Sequence, residues 1–506
     1  MDPILLAVAL LFGASLWFAR KISRNRNPPL PPGPPKDPLI GHMRIIPAEN
    51  TSEAFHEWTK TYGDVICLEV LGRKLVILGS VESARAILEN RGANYSCRPK
   101  FPIFELAGWF PQVTFLQYGE RFTKHRKMLQ QYFGTNSKDS LSFEPIIADE
   151  AHVLVKNLAS AAPGTHRHYV HRFTVSNIMR VLVGHQIRSD DDVFLEIANS
   201  ATAVARDCGP PGNTPVDFFP WLRHLPSWFP GTYYATVARS HYKTIRKLYD
   251  FPVEFVKAQK DPMKCFLLEK LQELEDAEDP EAALVDIKGV AAAIFAGGED
   301  TTYSSLQGFY LAMLHHPESQ KRAYEEIISV VGESSFPDVK DHRESLPLVE
   351  CIVQEVLRWH TVAPLCIPHR AINDDVYNGM FIPKDAVVIP NIRGMSLNED
   401  VYSNPHAFDP TRFLPRPEGR EEPHFSPAFG FGRRVCPGRH FAHLALWQVI
   451  ACTLATLEIV PMKGQIGNLP EMKFAEGLVR EPVPFEYEVR FRSEGARRLV
   501  EQVEYA

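Results

Sequence analysis

Residues Phe429-Gly430-Phe431-Gly432-Arg433-Arg434-Val435-Cys436-Pro437-Gly438 run directly into Arg439-His440-Phe441-Ala442-His443, and no other stretch constrains the fold as strongly. A Gly-rich aromatic turn meets an apolar-periodic run of Phe441, Leu444, Ala445, Trp447, Val449 and Ile450. That pattern predicts a helix beginning at or soon after Pro437, whose missing N–H suits a first helical turn. Cys436 is thereby placed at a helix start, with Arg433, Arg434 and Arg439 close by. Unpaired backbone N–H groups, the positive helix end and the guanidiniums should all lower the pKa of the thiol. Gly432 and Gly438 permit positive φ or the close approach of a flat partner, and Phe429 can keep water away from the sulfur. A dry thiolate of this kind suits axial ligation of a haem iron.

In order and spacing, Phe429, Gly432, Arg434, Cys436 and Gly438 resemble the haem-binding signature of the cytochrome P-450 family of haem-thiolate monooxygenases. The resemblance implies haem b as cofactor, Cys436 as its axial metal ligand, and Phe429, Gly432, Arg434 and Gly438 as cofactor-binding residues. Two other readings of the residues stay open: a buried structural Cys beside a basic loop, and a zinc site of Cys436, His440 and His443 on neighbouring turns. No second Cys pair at zinc spacing accompanies the latter.

A second irregularity lies far upstream. Asp286 to His316 reads as one long helix, yet Gly297-Gly298-Glu299-Asp300-Thr301-Thr302 sits in its centre. Two glycines there cost about 1 kcal/mol each relative to Ala, and Asp and Thr compete for backbone bonds, so compensation by function is expected. A Gly-kinked core helix is the alternative. The segment resembles the oxygen-binding groove of the same family, which implies Asp300 and Thr301 as catalytic proton-handling residues. Glu355 and Arg358 lie three residues apart on a predicted helix, Val349 to Trp359, and share a face. With Arg412 in Phe408-Asp409-Pro410-Thr411-Arg412-Phe413 they resemble the family's Glu-Arg-Arg structural brace beneath the Cys loop. Arg126 and His369 match positions that donate to a haem propionate. Phe122 departs from the pattern, standing where a Trp is usual, so an indole donor is missing. Arg121, Lys124 and Lys127 on the same basic helix could meet an acidic electron donor.

Val65 to Leu78 reads as a hairpin turning at Gly72, Val376 to Ile389 as hairpin strands around Asn378-Gly379, and Met472 to Arg492 as a closing β element. The segments Phe101 to Phe110, Ala291 to Ala296, Val362 to Ile367 and Gly477 to Val479 are apolar candidates for a substrate pocket, which points to lipophilic ligands. Val216 to Gly231 is apolar and aromatic enough to be covered by protein or to dip into a bilayer interface.

Ile4 to Ala19 carries no charge and is followed by Arg20, Lys21, Arg24 and Arg26. It reads as a membrane anchor with the following chain in the cytosol; a cleaved signal peptide fits less well, because the charges follow the apolar run. Pro28 to Pro35 is too Pro-rich for helix or central strand and reads as a stiff spacer. Sequons at Asn50 and Asn94 would then go unused, on the wrong side of the membrane. Eight scattered Cys without close pairs read as reduced thiols. A formal charge of −6 over 506 residues gives no reason to expect a nucleic-acid partner.

These readings combine into a mainly α protein with a small β region: an anchor over 1–20, a basic and proline-rich hinge over 21–40, and one haem-binding domain over 41–506. The resemblance implies the cytochrome P-450 fold and a monooxygenase placing one oxygen atom of dioxygen in a lipophilic small molecule. NADPH electrons should arrive through a separate NADPH-cytochrome P-450 reductase, since the chain has no Gly-rich nucleotide fingerprint. The expected location is the endoplasmic reticulum membrane. The overall pattern looks most like fungal members that tailor secondary metabolites, with a terpenoid or aromatic substrate. A haem-thiolate isomerase or dehydratase, and a haem-carrying protein without catalysis, are the alternatives.

Overall fold

The computed structural model describes residues 27–134, 143–209, 212, 214–463, 469–475 and 477–504. Six helices position the site: α1 (Glu120–Phe133), α2 (His166–Val183), α3 (Val193–Cys208), α4 (Pro280–His315), α5 (Pro347–His360) and α6 (Arg439–Thr456). α4 runs 36 residues and starts six residues earlier than its apolar pattern indicates. Asp279 accepts a hydrogen bond from the Ala282 N–H at 3.0 Å, and Pro280 follows it, so a capped N-terminus extends the helix through a polar first turn.

α4 serves two apolar cores. Ile287, Val290, Ala291, Ala292, Ile294 and Phe295 belong to one, packed with α1, α2 and α3. Leu306, Phe309, Tyr310 and Met313 belong to the other, with α5 and α6. A helix that is apolar all round can be buried on every side. Gly297 to Thr302 falls at the seam between the cores. α6 divides in the same way, Phe441 and Ala445 joining the first core and Leu446 to Ala455 the second.

β1 (Val65–Val70) and β2 (Arg73–Leu78) form the expected antiparallel hairpin, with Leu71 and Gly72 both at positive φ in the turn. Asp375–Tyr377 and Met380–Ile382 form the second hairpin, turning at Asn378 and Gly379. Val387–Pro390, expected in that hairpin, instead pairs in parallel with β2 and antiparallel with His369–Arg370. Its apolar run Val387-Val388-Ile389 suits this more buried place. The proline-rich run is no free spacer: the Phe381 and Cys67 N–H groups donate to the Pro29 and Pro32 carbonyls at 2.7 and 2.9 Å. Proline lacks a donor but keeps its acceptor, which fits it to a sheet edge. Among the described residues no helix is long and apolar enough to cross a membrane. The anchor expected over Ile4 to Ala19 lies outside the described residues. All eight Cys are unpaired.

Candidate active site

Between α4 and the Cys loop lies a cavity of about 320 Å3, bounded by Gly297, Gly298, Thr301 and Thr302 on one side and by Phe429, Cys436, Pro437 and Gly438 on the other. Arg98, Arg126 and Arg434 share one of its walls with Phe122 and Leu129.

The Cys loop is built by close backbone contacts. The Cys436 N–H donates to the Phe429 carbonyl at 2.8 Å. Gly432 has φ +58, and a Cβ there would sit 2.2 Å from the Leu88 carbonyl oxygen. Gly432 therefore lets the loop rest on Arg85–Glu89, a π-helical stretch, and does not itself line the cavity. At Gly438 a Cβ would meet nothing within 4 Å, so this glycine keeps open space beside the sulfur. The helix starts at Arg439, with Gly438 as its cap. The thiol pKa is a correction to the sequence reading. Burial raises it, outweighing the Gly438 N–H bond and the Arg126 and Arg439 charges that pull it down. The local donors act as expected, but desolvation of the buried sulfur penalises its charged form more.

The arginine wall is the strongest indication of a ligand. Arg434 donates to the carbonyls of Ser96, Val113 and Leu116 at 2.8, 2.9 and 2.6 Å, and its guanidinium lies 3.7 Å from the Phe122 ring centroid. Arg126 donates to the Val435 carbonyl at 2.8 Å. Arg98 donates to Thr114 and Pro368 carbonyls at 3.1 and 2.9 Å. None of the three has a carboxylate in salt-bridge reach among the described residues. Burial pulls Arg434 down to about 8 and Arg98 down to about 10, and lowers Arg126 as well. Buried cations without counter-anions are costly unless a partner arrives. A flat, largely apolar group with two carboxylates on one edge meets every demand of this cavity: the sulfur, the gap at Gly438, the apolar lining and the cationic wall. Haem b fits that description.

His369 is buried behind the wall and does not line the cavity; its Nδ1 lies 2.8 Å from the Tyr95 carbonyl, and burial with the Arg98 and Arg434 charges keeps its pKa well below the ordinary value. Arg98 was not singled out from the sequence. It sits in an irregular Cys97-Arg98-Pro99 stretch, and tertiary contacts bring it to the cavity, among them the bonds from the Arg370 N–H to the Cys97 carbonyl at 2.9 Å and from Arg370 Nε to the Arg98 carbonyl at 3.1 Å.

Thr301 lines the cavity, and its hydroxyl donates to the Gly297 carbonyl at 2.8 Å, one turn back. Gly298 lets α4 press on α2, since a Cβ would sit 2.3 Å from Ile178 Cδ1. Asp300 is turned away from the cavity. Burial and the nearby charges of Glu299 and Glu481 raise its pKa well above the carboxylate range, against the charge of Arg206. The expected Asp300–Thr301 pair is thus split between two sides of α4.

The brace is assembled as expected. Glu355, Arg358 and Arg412 are fully buried. Arg358 grips Glu355 through both carboxylate oxygens at 2.8 and 2.7 Å, and Arg412 Nε reaches Glu355 at 3.1 Å. A fourth member, Glu422, bonds Arg412 Nη1 at 2.6 Å.

Other sequence expectations also change. The aromatics Phe101 to Phe110 pack into the core and do not line the cavity, which is reached instead by Val113 and Thr114. Gly477 to Val479 does not line it either, whereas Val362, Ala363, Cys366 and Ile367 do. Arg121 and Lys124 are engaged by Asp286 of α4 at 2.7 and 2.9 Å, leaving Lys127 as the member of that trio available to an acidic donor. His443 is held by Glu350 at 3.0 Å, and among the described residues no cluster of three or more His, Cys, Asp or Glu is set to hold a metal ion, which removes the zinc alternative.

Comparison with known proteins agrees with this geometry. The family model described as cytochrome P-450 matches residues 31–489. Cytochrome P-450 monooxygenase 136 of Postia placenta is 33% identical over 520 aligned residues, covering 99% of this chain and 96% of that protein. Cytochrome P-450 monooxygenase claR of Ampulloclitocybe clavipes is 33% identical, covering 99% and 93%. Cytochrome P-450 monooxygenase ppsD of Aspergillus oryzae is 32% identical, covering 94% and 91%.

Proposed function

The chain belongs to the cytochrome P-450 family, an oxidoreductase family with haem held by a cysteine thiolate, and from that premise we propose how its own residues serve the monooxygenase reaction. Cys436 would ligate the haem iron through its sulfur, and Arg98, Arg126 and Arg434 would pair with the haem carboxylates, with His369 supporting the wall from behind. Haem bound there would supply the dioxygen-activating redox chemistry of a monooxygenase. The chain supplies position, dryness and proton handling: Ala293, Ile294, Val362 and Ala363 keep the cavity apolar, and Thr301 sets its hydroxyl on the cavity, with Asp300 as the neighbouring acid on the other flank of α4. The observation that carries this reading is that three buried arginines line the same cavity as Cys436 with no carboxylate partner among the described residues.

The substrate in this reading is a neutral lipophilic small molecule, a terpenoid or aromatic compound of fungal secondary metabolism, since the distal lining is apolar. Electrons come from NADPH through the separate reductase. The chain is anchored in the endoplasmic reticulum membrane by Ile4 to Ala19. Exposed Leu39 (95%), Trp221 (56%) and Trp228 (78%) support membrane contact beside the chain's entry. Arg73 donates to the Asp217 and Phe218 carbonyls at 2.6 and 3.0 Å, and Gly41 pairs with Val70, so both apolar segments gather at the β1–β2 turn.

The test is substrate-dependent NADPH consumption and mono-oxygenated product from the full chain with a P-450 reductase, screened over lipophilic compounds. Product formed without electron supply would favour the isomerase or dehydratase reading.

A further inference from the structure

Where α5 ends, the chain turns sharply into the cavity wall. Thr361 caps the helix at φ +45, a left-handed conformation that is strained for a β-branched side chain. Its hydroxyl donates to the Arg358 carbonyl at 2.6 Å and lies 3.2 Å from Ser396 Oγ. Val362 and Ala363 follow and line the cavity. Strain of this kind persists only where the surroundings over-determine it. Here a cluster outside the cavity does so. The Arg480 N–H donates to the Val362 carbonyl at 2.8 Å, and Arg480 Nη1 donates to the His360 carbonyl at 2.6 Å. Ser304 of α4 closes the ring, its Oγ lying 2.6 Å from the Arg480 carbonyl and 2.8 Å from His360 Nε2. A carbonyl can only accept, so the hydroxyl proton goes to Arg480, and His360 Nε2–H must donate to Ser304 Oγ. The ring is fully buried against Gly308, where a Cβ would sit 2.8 Å from the imidazole. Burial, then the charges of Arg480 and Arg393, hold the His360 pKa well below its ordinary value, so the neutral imidazole is a fixed link and not a proton carrier. Ser304, His360 and Arg480 do not line the cavity themselves.

We propose that Ser304 and His360 are positioning residues for the substrate: through Arg480 they fix Val362 and Ala363, and with them the apolar surface against which a ligand rests. The inference rests on the reading that this cavity seats haem and a lipophilic substrate. Removing the Ser304 hydroxyl strands His360 Nε2–H and the Arg480 carbonyl in a buried place. The strained Thr361 turn then loses part of what holds it, and a shift there moves Val362 and Ala363. Cys436 and the arginine wall are held by other partners, the carbonyls of Phe429, Thr114, Val435 and Ser96. The effect therefore falls on ligands large enough to press on the lining, and not on ligands that meet the iron alone. A displacement of about 1 Å far from the reacting atoms is enough to change how a substrate is placed.

Spectral titration of the haem-loaded full chain with two nitrogen ligands of the iron, imidazole and N-phenylimidazole, tests this without turnover. Imidazole offers the lining little surface, whereas the phenyl group must pack on it. Ser304→Ala should raise the Kd for N-phenylimidazole about tenfold and that for imidazole less than about twofold. Ser304→Thr, which keeps the hydroxyl, should restore N-phenylimidazole binding to within about threefold of the parent. Because the effect runs through the lining, adding Ser304→Ala to Val362→Ala should cost less than about twofold more. An intact ferrous–CO Soret band checks the cofactor seat. Equal weakening of both ligands, an unchanged Kd for N-phenylimidazole, no restoration by Ser304→Thr, full additivity with Val362→Ala, or loss of the CO band in Ser304→Ala would overturn the positioning role alone. A parent chain whose Soret band responds to neither ligand would overturn the haem-site reading and the positioning role with it.

Discussion

The molecule buries arginine in two places and treats it differently in each. Beneath the Cys loop, Arg358 and Arg412 meet Glu355 and Glu422, and their remaining N–H groups go to the carbonyls of Ser396, Ser403, Pro405 and Ala407. On the cavity wall, Arg98, Arg126 and Arg434 meet carbonyls and one aromatic face but, among the described residues, no carboxylate. A buried cation with its anion in place is structure, and removing either partner strands a charge. A buried cation without an anion carries a desolvation cost that only an arriving anion can offset. The difference separates scaffold from site without reference to any relative.

Breaking the brace should have the largest effect. Arg358→Ala leaves Glu355 buried and half-unpaired, and should cost about 3–5 kcal/mol of stability, seen as a large drop in the denaturant midpoint with or without cofactor. Breaking the wall should act on the loaded protein alone. Arg126→Ala should accelerate haem loss to an acceptor protein about tenfold, equivalent to about 1.4 kcal/mol, while leaving the cofactor-free protein as stable as the parent or more so. Destabilisation of the cofactor-free form to the same extent would erase the distinction between the two regions.

The local motifs were legible in the sequence because short-range spacing carries them: the Cys loop, the Glu355–Arg358 pair and the Gly-Gly-Glu-Asp-Thr break in a long helix. Arg98 and Glu422 were not, because each is brought in by tertiary pairing from an irregular segment with no periodicity of its own. The Cys436 pKa was misread for a related reason. Dipole and neighbouring charge are visible in sequence, whereas the burial that outweighs them is a property of the folded loop. The aromatic run Phe101 to Phe110 was equally ambiguous, since large apolar side chains serve a core and a pocket alike.

Phe122 offers a finer adjustment of the wall. Its ring already packs on Arg434, so Phe122→Trp should keep that contact and add one N–H donor toward the propionates, slowing haem loss several-fold, about 1 kcal/mol. No change in the loss rate would mean that the ring serves Arg434 only. The smallest effect is expected at the rim of the brace. Burial pushes the Glu422 carboxyl up, but its bonds to Arg412 and Arg420 outweigh this and hold it below its ordinary value of 4.5. A folded-state pKa below the unfolded one means that this stabilisation is present above about 4.5 and is lost as the pH falls through the lowered value. Glu422→Gln should therefore flatten the acid limb of the stability curve, measured by denaturant titration from neutral pH downward.

The account stands or falls on the sulfur that faces the arginine wall. The ferrous–CO complex of the parent chain should show the red-shifted Soret band of thiolate-ligated haem, and Cys436→Ser should abolish that band while the far-ultraviolet circular dichroism stays that of a folded helical protein. An unchanged red-shifted band in Cys436→Ser would contradict the assignment of Cys436 as the ligand.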